Sequence, residues 1–249
     1  MKRILSSVVI ALAALPAMAG ITYDFRTVTT GLQGTDQRVH ASVEGANVRL
    51  DFETGDGMLF RNGAVAVSHD GGTKLTVLDP QAKTFFDIDL SSLNAGEMAN
   101  MFKLSNEKVS VKDAGDGGVM EGYPTQRKTV TAGADVVIGN AMSMHFEVTM
   151  ESWSTAKIPM EAAGFLQRRT GNTGLPMLDK LIAAQSNAVK GFPLKQITTV
   201  KVMKGGKTTL EMSSTTTVSN VKQKTVPAAS FVVPAGYRRV ASPIDRLMK

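Results

Sequence analysis

The chain of 249 residues contains no cysteine. A disulfide framework, thiol chemistry and a cysteine-borne lipid anchor are therefore all excluded. Aromatic residues are scarce, at 6 %, with one tryptophan. Surfaces that read nucleic acid combine a clustered basic stripe with aromatics. Here the basic residues are dispersed, densest at Arg168-Arg169, Arg238-Arg239 and Lys222 to Lys224, so no nucleic-acid partner is expected. Long apolar runs are also missing. The single one, Ile4 to Leu15, is shorter than the roughly 20 residues a spanning helix needs. No transmembrane segment is expected in the rest of the chain.

Catalytic and metal-binding patterns are absent in the same way. The three histidines, His40, His69 and His145, are far apart, and a zinc site needs three or four ligands. His145 and Glu147 share one face of a strand and read as its solvated side. "KGGKTT" ends like a phosphate-binding loop, but Lys201 stands where the first glycine is required. "DAGDGG", Asp113 to Gly118, has glycines where a calcium loop needs oxygen ligands, so it reads as a turn. There is no Gly-x-Ser-x-Gly elbow. Asp87 and Asp89 are paired on a strand face that points to water. No nucleophile, base and orienting group can be assembled. No enzyme, no cofactor and no metal are expected.

What is present begins with the leader. Lys2 and Arg3, the apolar run, Pro16 and Ala17-Met18-Ala19 form the three parts of a secretory signal peptide. Cleavage is expected after Ala19, giving a signal peptide at 1–19 and a single domain at 20–249. The net charge then falls from +6 to +4 as Lys2 and Arg3 leave. The expected location is the periplasm.

From Ile21 the chain reads as successive strands. "VHASV" and "NVRLDFE" alternate apolar and polar residues, as half-buried strands do. "AVAVS" and "KLTVLD" flank "HDGGT", a hairpin turn. Asp79-Pro80 separates two further β-rich runs. "MHFEVTMESW" places Met144, Phe146, Val148 and Met150 on one face, with Met142 in line. Two stretches have helical spacing. In the first, Ser91 or Ser92 caps a run containing Met98, Met101 and Phe102. The second, an insert at about 158–191, reads as two helices. In its second helix Leu178, Leu181, Ile182 and Gln185 share a face, Pro176 lies in the first turn, and Gly191 and Pro193 end it. The fold expected is mainly β: one curved antiparallel sheet of roughly eight to eleven strands, with helices covering its concave face. So many strands in an open sheet must curl.

Methionine is frequent, at 14, and several lie at inward positions. Met is flexible and polarisable and adapts to partners of varied shape. The candidate ligand-binding residues are Met142, Met144, Phe146, Val148 and Met150 on the long strand, with Leu178, Leu181 and Ile182 on the insert. An apolar strand face is also what an ordinary core requires, so both readings stand.

"KLTVLDPQAKTFFDIDL", "GYPTQRKTVT", "ESWSTAKIP", "GFPLKQIT" and "VPAASFVVPAGYRRV" occur in this order over most of the chain. In this the sequence resembles the LolA-like periplasmic proteins, in particular a branch catalogued as a bacterial domain of unknown function (DUF4412-like). The resemblance implies a LolA/LppX-like half-open β-barrel with a helical lid over an apolar cavity. In LolA and its relatives that cavity carries lipid acyl chains. The function expected is a periplasmic carrier or binding protein for an apolar ligand, a lipid or lipidated partner. The alternative is a non-enzymatic scaffold with a filled core that docks a protein partner of the cell envelope. For that alternative the Thr-rich run "TTLEMSSTTTVS" offers a candidate exposed edge.

Overall fold

The computed structural model describes residues 20–31, 34–55, 60–90, 102–138, 142–163 and 176–243; at 102–104, 138, 142, 161, 176–178 and 181 it describes the backbone alone. The leader, Met98 and Met101 lie outside the described residues.

The strands are β1 (Ile21–Thr30), β2 (Thr35–Glu44), β3 (Asn47–Thr54), β4 (Val65–Ser68), β5 (Lys74–Asp79), β6 (Thr84–Asp89), β7 (Phe102–Met120), β8 (Tyr123–Ile138), β9 (Met142–Thr155), β10 (Phe192–Lys204), β11 (Lys207–Gln223) and β12 (Arg238–Arg239). They form one twelve-stranded sheet in the order β12-β6-β5-β4-β3-β2-β1-β11-β10-β9-β8-β7. The sheet is long, curved and not closed. Neighbours pair antiparallel except β12, a two-residue strand that joins β6 in parallel. The strand count thus exceeds the expected range by this short C-terminal addition.

Local chemistry explains the hairpins. Asp79 Oδ1 accepts the amides of Gln81 and Ala82, both at 3.0 Å, and turns β5 into β6. Gly205 and Gly206 hold φ of 58° and 76° between β10 and β11, the paired left-handed values that two-residue hairpins favour. "DAGDGG" corrects the expectation of a turn. It lies inside β7, where register shifts at Asp113/Gly115 and Asp116/Gly118 make two bulges. A bulge absorbs positive-φ glycines such as Gly115 and Gly118 without ending the strand. The Thr-rich run is corrected as well. It belongs to β11, which pairs with β1 on one side and β10 on the other, so it is not an edge.

One of the helical expectations falls within the described residues and is met. Among the described residues one α-helix, α1 (Pro176–Ala188), starts at the expected proline. It ends before Lys190 and Gly191, with Val189 N donating to Gln185 O. The first half of the insert contains a 3-10 turn, Met160–Ala163. Phe102 opens β7 rather than continuing a helix. Residues 91–101 and 164–175, where further helices were expected over the concave face, lie outside the described residues. Helix α1 packs on β7 and β8, at one end of the sheet.

The core has two parts on the inner face. The larger joins Tyr23, Phe25, Val39, Leu50, Phe52, Leu75 and Val218 to Ile158, Ala162, Ala163 and Phe192. The segment after β9 therefore closes this half, and the buried Tyr23 hydroxyl donates to Ala162 O at 3.0 Å. The smaller part lies under α1. A third cluster, Val65, Val67 and Leu78 with Val233 and Tyr237, sits on the opposite face of β4 and β5 beneath the C-terminal segment. The sheet's curl brings the β7–β8 tip back across it: Asn220 N on β11 donates to Glu121 Oε2 at 2.9 Å.

Candidate functional site

Opposed residues of an antiparallel pair share a face, so the register defines rows of side chains across the inner face. One row runs Val109, Ala132, Val148, Val200, Met212 over β7, β8, β9, β10 and β11. The next runs Val111, Val130, Met150, Thr198, Ser214. On the far side, Ala134 opposes Phe146, which opposes Val202, and Val136 opposes Met144.

The smaller core forms on these rows. Val130, Ala132, Ala134 and Val148 are buried, and Phe146, Met150 and Val200 pack against them together with Ala184 and Ala188 of α1. The structure thus brings together Phe146, Val148 and Met150 of the expected site, with Met144 half-buried beside Val136. Ile182 is half-buried but is not part of this cluster among the described side chains. The side chains of Met142, Leu178 and Leu181 lie outside the described set. Among the described side chains the contact of α1 with this cluster is made by Ala184 and Ala188, and Lys180 ties α1 to Glu107 of β7.

Two valines on β7 escape this cover. Val109 is 38 % exposed and Val111 51 % exposed, although their row partners Ala132 and Val130 are at 0 % and 1 %. The apolar face thus continues past the helix toward the open edge strand.

The row after Met150 changes character. It reads Asp113, Lys128, Ser152, Gln196, Thr216, Thr27 and Gln37 across seven strands. This polar belt separates the two inner cores. Lys128 ion-pairs with Asp113. The hydrogen bond from Lys128, with the Gly115 amide, holds the Asp113 carboxyl below the usual carboxylate range. Thr27 and Thr216 share a hydroxyl bond of 2.9 Å. Gln196 Nε2 donates to Met150 Sδ at 2.7 Å, a weak acceptor. Ser152 is 1 % exposed, and its Oγ has no hydrogen-bond partner. The belt was missed in the sequence, although the alternation of "MHFEVTMESWS" changes from apolar residues to Ser152 and Ser154 at this point.

The outer face is charged and hydroxylated. Trp153 lies under Arg127 and Lys195, each 4.9 Å from its ring centroid, and Arg127 also pairs with Glu151. His145 and Glu147 face outward as expected. His145 Nδ1 meets Asp135 Oδ1 at 2.7 Å, in a shallow groove of about 480 Å³ that also holds Lys108 and Gly133. Hydrogen bonds from Asn106 and then His145 hold the Asp135 carboxyl below its ordinary range. Among the described residues no group of three or more His, Asp or Glu side chains could hold a metal ion.

A twelve-stranded open sheet with, among the described residues, one helix over an apolar end defines this as a mainly-β protein. The chain belongs to the DUF4412 family, a domain of unknown function, whose model matches residues 27–237. No curated protein matches the chain. Among solved structures it is similar to an uncharacterized conserved protein from Thermus thermophilus, at 8 % identity and a TM-score of 0.42, over 90 % of this chain and 91 % of that one. It is also similar to a LolA superfamily protein from Nitrosomonas europaea, at 9 % identity and a TM-score of 0.34, over 88 % of this chain and 91 % of that one. No helix among the described residues is long and apolar enough to cross a membrane.

Proposed function

We propose that this protein is an exported, non-enzymatic carrier or binding protein for an apolar ligand, a lipid or acyl chain, held on the inner face of β7 to β10 beneath α1. One observation carries the reading. Val109 and Val111 are exposed at 38 % and 51 %, although their partners on β8, Ala132 and Val130, are buried core. An apolar face that a protein leaves part-covered beside a helix suits an occupant. The other half of the inner face is closed by Ile158, Ala162, Ala163 and Phe192, so the ligand belongs to the α1 half. Phe146, Val148 and Met150 form its floor, and Val109 and Val111 its open side.

The test is native mass spectrometry on residues 20–249, purified from periplasm without detergent and then extracted with solvent. A heterogeneous added mass that extracts as lipid is expected. A clean mass that stays unchanged after incubation with fatty acids and phospholipids would return this face to the core and favour the scaffold reading.

A further inference from the structure

The polar belt poses a problem that the apolar face alone does not explain. Ser152 Oγ is buried with no partner, and an unmade buried hydrogen bond is unfavourable. Its cross-strand neighbours are Lys128 on β8 and Gln196 on β10. Gln196 spends an amide proton on a thioether. Lys128 is tied to Asp113, whose side chain is 60 % exposed, while that of Lys128 is 22 % exposed. An ion pair with one exposed partner exchanges readily with other acceptors. Three donors, an ammonium, a hydroxyl and an amide, therefore stand side by side on one face with weak, exchangeable or missing acceptors.

They stand at the end of the apolar strip. Along β9 the inner residues run Met144, Phe146, Val148, Met150, Ser152. At about 3.4 Å per residue this spans roughly 27 Å, the scale of a lipid chain with its head. We propose that Lys128, Ser152 and Gln196 form the head-group subsite of the ligand proposed above, and that the ligand is an anionic single-chain amphiphile, its carboxylate or phosphate oxygens accepting from these three side chains while its chain lies on Phe146, Val148 and Met150. The inference rests on the carrier reading. On binding, the anion takes the place of Asp113 at Lys128, and Asp113 turns to solvent.

The experiment displaces the neutral apolar reporter N-phenyl-1-naphthylamine from the full mature chain with dodecanoate, dodecyl phosphate and dodecanol. Chain length is constant and only the head changes. At least one anion should compete about ten-fold better than dodecanol, the size of one charge-assisted hydrogen bond. The stronger anion identifies the head as carboxylate or phosphate. Ser152→Ala and Lys128→Met should bring the anions to within about two-fold of dodecanol, and dodecanol should lose less than either anion. Ser152→Ala should not lower the melting temperature of the empty protein, because the hydroxyl it removes has no partner. Equal competition by all three ligands in the unmodified chain would overturn the head subsite and leave the carrier reading intact. An anion preference that persists in both variants, or a parallel loss for dodecanol, would also overturn it. A reporter that never binds would remove the carrier reading and this one with it.

Discussion

Replacing Val111 by Asn tests the proposed site without disturbing the fold. Val148 is unsuitable for this purpose: it is 4 % exposed within the α1 cluster, and a polar residue there would disrupt the core. Val111 is 51 % exposed in the empty protein, so Asn at that position still reaches water. Its cost to folding should stay within about 1 kcal/mol, the span of strand preferences. Binding is affected differently. Fully burying a valine is worth about 1.5–3 kcal/mol, so the half still exposed would contribute about 1 kcal/mol under a ligand. Covering an amide without a partner adds about 1–3 kcal/mol of penalty. The expected loss is therefore about 2 kcal/mol or more, roughly 30-fold in Kd. Because Asn is neutral, the charge of the ligand head does not enter. The assay is reporter fluorescence titration beside thermal unfolding by circular dichroism. A variant that binds as tightly as the parent, with the same melting temperature, would refute the placement of the ligand along β7.

Two further predictions concern the frame that holds this site. At Gly191, φ is +95° and an added Cβ would lie 2.2 Å from the backbone oxygen of Thr155; Gly191→Ala should therefore destabilise the chain by about 2–4 kcal/mol, lowering the melting temperature by roughly 4–16 °C. Burial raises the Tyr23 phenol well above its ordinary value. The native state thus keeps its proton longer than the unfolded chain does, so this contribution to stability is complete below about pH 10 and is lost as pH rises further. Tyr23→Phe should cost about 1 kcal/mol at neutral pH for the lost bond to Ala162 O and flatten the alkaline fall of a denaturant-unfolding series; an unchanged alkaline slope would place the titration elsewhere.

Much of the site was legible along β9, because strand side chains alternate with a period of two and burial of one face follows directly. Phe146, Val148 and Met150 could be placed inward from that pattern alone. The helix beginning at Pro176 and ending before Gly191 was equally plain from its proline and glycine. The part played by its small residues was not. Ala184 and Ala188 meet the sheet, and short side chains carry little weight in a hydrophobic pattern.

By itself the sequence determined a β-rich chain with one-sided strands, tight glycine turns and one capped helix, since these depend on residues a few positions apart. The tertiary structure alone decided which strands are neighbours. It set β11 between β1 and β10 and left β7 at the edge with Val109 and Val111 uncovered. It also aligned Asp113, Lys128, Ser152, Gln196, Thr216 and Thr27 into one belt. These residues are distant in the chain and belong to six strands. Only the registers between strands, each fixed by which face must be buried, bring them into a row.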